Sequence, residues 1–149
     1  MEYIIRQVME NDLEEWLKLG LKLWTEETEN EMRQIFLDIL LSEKENTFIC
    51  ENVNKYIGFV NVSIRSDYVE GSNSTPVGYI EGIYVEENYR KKGIANHLIK
   101  AAEKWAKEKG CKQMGSDIEY DNTVSYDFHK KVGFNEAGRI ICFIKDIEE

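Results

Sequence analysis

The stretch ENYRKKGIANHLIKAAEKWAKEKG, residues 87–110, is the part of the chain from which the fold can be read. Ile94, Leu98, Ala101, Ala102 and Trp105 fall on one stripe of a helix, and Gly110 is placed to end it. Just before it, GYIEGIYV (78–85) is strongly β-prone. A strand, a short basic turn and a helix start bring backbone N–H groups and the positive end of a helix to one point. Gly93 lets the backbone approach a ligand closely. That arrangement suits an anion such as a pyrophosphate, although a solvated helix start would explain a basic turn with one glycine equally well.

The charge around this segment is uneven. Residues 89–112 carry a net +6, and the rest of the 149-residue chain sums to -15, giving -9 overall. An acidic body disfavours nucleic acid, while the basic segment can still hold an anion. With 42% hydrophobic residues, one proline and no repeat or low-complexity run, residues 1–149 are expected to form a single domain. The N-terminus MEYIIRQVMENDLEEW has no basic, apolar leader pattern, and no run of about 18 apolar residues occurs. Cys50, Cys111 and Cys142 are odd in number, widely spaced and without nearby histidines, so neither disulfides nor a zinc site is expected. They read as buried thiols of a cytoplasmic protein.

Outward from the central segment, the pattern is a mixed sheet. YIIRQV (3–8) alternates as a strand, and Asn11 or Asp12 can cap a helix carrying Leu13, Trp16, Leu17 and Leu21. Residues 29–41 form a second helix. NTFICEN (46–52) and KYIGFVNVSIR (55–65) make a hairpin, and SDYVEGSNSTPVG (66–78) is a loop. After the central helix come a fifth strand, KQMGSDI (112–118), a helix in NTVSYDFHKKV (122–132) ended by Gly133, and a last strand, RIICFIKDI (139–147). The order predicts an α+β fold, a mostly antiparallel sheet flanked by helices. There is no G-x-G-x-x-G and no P-loop motif.

YRKKGIA (89–95) resembles the acetyl-CoA motif [QR]-x-x-G-x-[GA] of the GNAT acyltransferase superfamily, with Arg90, Gly93 and Ala95 in the defining places. NTVSYDFHKKVGF (122–134) resembles its second signature. SIRSDYVEG, TPVGYIEGIYV, EKWAKEKGC, SDIEYDN and HKKVGF are similar to the aminoglycoside 6'-N-acetyltransferases of the dimeric chromosomal type. The resemblance implies a GNAT fold, acetyl-CoA as co-substrate without a metal, a cationic aminoglycoside as substrate and a homodimer. It also implies that Arg90, Lys91, Lys92, Gly93, Ile94 and Ala95 hold the pyrophosphate of coenzyme A. Ile83, Tyr84 and Val85 lend backbone groups to pantetheine, and Asn122 touches the cofactor. Trp24, Tyr68, Glu81 and Asp117 match antibiotic-binding positions.

The residues themselves fit that chemistry. Glu81 interrupts an apolar strand, where a carboxylate is costly unless paired or solvated. Asp117, followed by Glu119 and Asp121, makes a second acidic point, and two carboxylates suit a substrate with several ammonium groups. A structural salt bridge at Glu81, a polar turn at Asp117 and plain packing of Trp24 and Tyr68 are the alternatives. Related enzymes often have a further acidic residue where this chain has Gly138, and Glu136 could substitute from the same strand face. For catalysis, Glu81 or Asp117 could accept the ammonium proton and a backbone N–H in 83–85 stabilise the oxyanion. His129 occupies the place of a tyrosine in many relatives and either protonates the thiolate or only hydrogen-bonds the cofactor, with Tyr126 one turn earlier. Two other functions compete: acetylation of another polyamine such as spermidine, and non-catalytic binding of acetyl-CoA and cations.

Overall fold

The computed structural model describes residues 2–148 and forms two compact units, Met1–Asp117 and Ile118–Glu149. The first unit holds a five-stranded sheet in the order β1-β2-β3-β4-β5. The strands are β1 (Ile4–Gln7), β2 (Glu45–Asn52), β3 (Lys55–Arg65), β4 (Val77–Val85) and β5 (Met114–Ser116). Neighbours are antiparallel except β4 and β5, which run parallel. The β2–β3 hairpin turns at Val53 and Asn54, both at positive φ, the pair of conformations that matches strand twist in a two-residue loop.

Helices α1 (Leu13–Leu23) and α2 (Glu29–Leu41) cover one face of this sheet. Trp16, Leu17, Met32, Phe36 and Ile39 meet Ile49 and Phe59 there, and Trp16 stacks on Phe36 at 3.9 Å. The opposite face carries α3 (Ile94–Glu108), which buries Ile94, Leu98, Ile99, Ala102 and Ala106. A glycine allows this close packing: a Cβ on Gly78 would come within 2.8 Å of Ala106. The second unit contains α4 (Thr123–Lys131), capped by the Asn122 side chain accepting from the Ser125 N–H at 3.1 Å and followed by Gly133 at φ 103°.

Three expectations are corrected. RIICFIKDI does not form a strand: Ile140, Ile141, Phe143, Ile144 and Ile147 are all at least 75% exposed. Its β-prone pattern is real, but a strand exists only where a neighbour supplies a ladder, and none pairs with it among the described residues. Cys142 in that segment is therefore exposed, whereas Cys50 and Cys111 are buried. Finally, Asp12 does not cap α1 with its side chain.

Asp12 is instead the hub of a buried polar lock. Its carboxylate takes a fork of two bonds from Arg6, at 2.7 and 2.8 Å, one from the Tyr56 hydroxyl at 2.5 Å and one from the Met9 N–H at 2.7 Å. Arg6 also reaches Glu51 at 2.5 Å. The guanidinium holds the Asp12 carboxyl down to about 2, and the same carboxylate pushes the Tyr56 hydroxyl up to about 12. Because the folded value lies below the unfolded one, this stabilisation is present above about pH 4 and is lost as pH falls towards about 2. Asp12→Asn should therefore cost roughly 2–4 kcal/mol at pH 7 in urea unfolding, with the gap from wild type closing in that acid window.

Candidate active site

Strand β4 changes its alternation in the middle. Asn61 pairs with Gly82 but Val62 with Ile80, so Glu81 is the extra residue of a β-bulge. Glu81 and Gly82 consequently address the same face of the sheet, and Glu81 reaches solvent from within a central strand. Its carboxylate accepts from the Ser63 hydroxyl and from Arg65, with three guanidinium contacts between 2.9 and 3.2 Å. The salt bridge considered from the sequence exists, its two side chains 42% and 34% exposed, in a site that also has other polar groups: buried Thr47 donates to Asn61 at 2.6 Å on the same face.

Trp24 lies against the next residue of β4, Gly82. It closes α1, and its ring sits so near Gly82 that a Cβ there would fall 2.3 Å from it. The ring also meets Phe59 at 5.9 Å and Phe36 at 6.5 Å, so Trp24 is anchored in the core and still partly exposed. Tyr68 is 74% exposed. Its neighbour Val69 is buried against Val77 and Tyr79, and Gln113 accepts from the Asn73 N–H and the Ser74 hydroxyl, both at 2.8 Å, which pins the rest of the loop. Asp117, just past β5, accepts a hydrogen bond from the Tyr79 hydroxyl. Burial and this bond together raise the Tyr79 hydroxyl well above its ordinary value.

The β4–β5 ladder stops at Ile80 and Ser116. Beyond that point Ile83, Tyr84 and Val85 remain paired with β3 on one side, while their other edge lies outside the β5 ladder. The β4–β5 ladder thus ends at the residue before the bulge. At the far end of β4, Arg90 donates to the Val85 carbonyl at 2.7 Å and lies over the Tyr84 ring at 5.5 Å. Its guanidinium thus ties the turn to the strand end, whereas Lys91 and Lys92 are exposed.

The start of α3 carries no side-chain cap. Gly93, its N-cap, has φ 84° and offers no side-chain cap, unlike Thr28 at α2 or Asn122 at α4. Nothing lies within 4 Å of where a Cβ on Gly93 would stand. The first N–H groups of the helix have no partner within the helix. Ile94 is buried in the core, so only its backbone can serve a ligand. Ala95 is partly buried on the next position.

In the second unit, Asn122 uses its Oδ1 to cap α4. His129 Nδ1 donates to the Ser125 carbonyl at 2.7 Å, and its ring lies 5.1 Å from that of Phe134. Glu136 is exposed and paired with Arg139 at 2.9 Å, which holds its carboxyl below the usual range. The segment is not a strand, so the same-face argument that made Glu136 a substitute at Gly138 does not apply. Among the described residues, no cluster of His, Cys, Asp and Glu is arranged to hold a metal ion.

A helix start open to an anion, a parted β4 edge and a bulge that presents a carboxylate are the parts of an acyl-CoA-dependent N-acyltransferase. The model of the acetyltransferase (GNAT) family matches residues 7–134, and the chain belongs to that family. The aminoglycoside N(6')-acetyltransferase type 1 of Salmonella enteritidis is 38% identical over 141 residues, 95% of this chain and 97% of that protein. The enzyme of the same name from Acinetobacter haemolyticus is 35% identical over 97% of this chain and 99% of its own. AAC(6')-Iy, solved with the bisubstrate analogue CoA-S-monomethyl-acetylneamine, matches with a TM-score of 0.95 and 36% identity, covering 99% of this chain and all of that one.

Two residues that sequence reasoning did not single out belong to this site. Arg65 is the partner of Glu81, and Gly82 gives Trp24 its seat. The string GYIEGIYV contained a signal for the second: a glycine directly after the only charged residue of a strand is a mark of a bulge. Gly82→Ala should push the Trp24 ring out of place, shift its fluorescence emission and destabilise the fold by about 1–3 kcal/mol in thermal or urea unfolding.

Proposed function

We propose that the chain transfers the acetyl group of acetyl-CoA directly to the 6'-amine of aminoglycosides, and so acts as an antibiotic-resistance enzyme. The observation that carries this reading is the pairing of an uncapped α3 start with Glu81 and Asp117 on either side of the point where β4 and β5 part. Family membership supplies acetyl transfer, and relatives alike over nearly their whole length supply the acceptor.

The chemistry follows from the groups present. Gly93, Ile94 and Ala95 offer backbone N–H groups to the pyrophosphate, with Lys91 and Lys92 adding positive charge and Arg90 fixing the turn. The open edge of Ile83–Val85 binds the pantetheine arm and supplies the N–H that stabilises the oxyanion. Asn122 contacts the cofactor through its amide. Trp24 and Tyr68 provide flat surfaces for sugar rings, and Glu81 and Asp117 hold ammonium groups through charge-assisted bonds. One of these carboxylates, directly or through water, takes the proton that must leave the attacking amine. His129 either protonates the departing thiolate or hydrogen-bonds the cofactor.

The same reading treats residues 1–149 as one cytoplasmic domain that works as a homodimer. The family match runs across both compact units. No helix among the described residues is long and apolar enough to cross a membrane. The apolar run Ile140–Ile147, uncovered in a single chain, supports association with a second copy. Replacing Ile141 and Phe143 together by Asp should shift the mass measured by light scattering from dimer to monomer; an unchanged mass removes this segment from the interface.

Thiol release from acetyl-CoA with kanamycin, followed by NMR location of the acetyl group, tests the activity. Turnover at the 6'-amine is expected, and its absence with cofactor still bound overturns the reading. Asp117→Asn should raise the KM for kanamycin about tenfold or more while sparing acetyl-CoA affinity, as loss of a bond to a charged amine predicts. Gly93→Val should do the reverse, since its branched side chain fills the open cradle and resists φ 84°.

A further inference from the structure

Arg65 has no part in the mechanism above, yet it occupies the middle of the substrate face. It ends β3, and its side chain is 42% exposed. Three guanidinium contacts go to Glu81. The guanidinium carbon lies 3.4 Å from the centre of the Tyr79 ring, and the Tyr79 hydroxyl donates to Asp117. One planar cation therefore touches one substrate carboxylate directly and the other through a single ring. It also lines a surface recess with Tyr68, Asp67, Ser66, Ile64 and Lys44.

Folding stability does not account for this arrangement, because a half-exposed ion pair contributes little. Local charge does require an explanation. Glu45 stands opposite Ser63 across the β2–β3 ladder, and Ser63 donates to Glu81. Burial, followed by the charges of Glu81 and Asp38, raises the Glu45 carboxyl. Negative groups are thus crowded at this end of the sheet, and Arg65 is the cation bonded to Glu81, with Lys44 on the same recess.

We propose that Arg65 is a positioning residue that sets which polyamines the site accepts: it fixes Glu81 and, through Tyr79, Asp117 at a defined spacing while cancelling one local negative charge. The inference rests on the aminoglycoside reading of the site. A rigid substrate with amines fixed on rings gains from carboxylates fixed at matching points. A flexible linear polyamine gains chiefly from net negative charge, which Arg65 reduces. The residue therefore favours the first over the second.

Charge and geometry can be separated by substitution. Arg65→Lys keeps the charge but loses the planar fork and the stacking surface, and Arg65→Gln loses all three. The experiment measures kcat and KM for kanamycin and acetyl-CoA, and the inhibition constant of spermine against kanamycin, for wild type and both variants at low and high salt. Both variants should lose about tenfold in kcat/KM for kanamycin, the loss expected for bonds to a charged group. Only Arg65→Gln should bind spermine several-fold more tightly, and high salt should remove that gain. The KM for acetyl-CoA should stay at the wild-type value.

Wild-type kcat/KM for kanamycin in Arg65→Lys, or equal spermine inhibition in all three proteins, overturns the proposal. A parallel rise in the KM for acetyl-CoA also overturns it, since that marks general damage. If Arg65→Gln does not fold by circular dichroism, Arg65→Lys decides alone through the kanamycin and acetyl-CoA constants. Wild type failing to acetylate kanamycin is a separate outcome that removes the substrate reading itself.

Discussion

One extra residue in β4 organises the site. Because Glu81 and Gly82 address the same face, the strand presents a carboxylate to solvent and, one residue later, a surface bare enough to seat the Trp24 ring. The ladder to β5 ends at Ile80, the residue before the bulge, so the following stretch of edge lies outside it. A bulge bends its strand and raises its local twist. A carboxylate, an aromatic wall and a parted edge thus share one backbone irregularity.

Charge of opposite sign is separated along that strand. Its middle is acidic, with Glu81 in the β4 bulge and Asp117 just past β5, while its end leads into the basic turn that opens α3. Cations and anions are drawn to places a few residues apart, which suits a reaction that joins a polycation to a pyrophosphate-bearing donor. A different ion pair, Arg6 with Asp12, is largely buried at β1 and serves the scaffold. Its carboxylate is almost fully enclosed, whereas those of the site remain partly exposed.

What the sequence made legible was periodic. The stripes of α1, α2 and α3 and the alternation of β2, β3 and β4 appear where hydrophobic spacing puts them. The strand end, basic turn and helix start were legible because they are contiguous, from Val85 to Ala95. Arg65 was not, since its meaning depends on a register that brings it to Glu81, sixteen residues away, and to Tyr79. Nor did spacing show that Arg90 would turn back to the Val85 carbonyl, or that Asp12 would choose Arg6 over a helix cap. The failed strand at 139–147 is the opposite case: local propensity was present, and the pairing partner was not.

The three cysteines differ in a way that bears on handling the protein. Cys50 is fully buried and its thiol is pushed up to about 11, and burial raises Cys111 as well. The thiolate is the reactive form, so both are poor targets for electrophiles in the folded state. Cys142 is the exposed one. A maleimide dye therefore has a natural single attachment point inside the apolar C-terminal run, and a fluorophore placed there would report directly on whether that run is wet or covered.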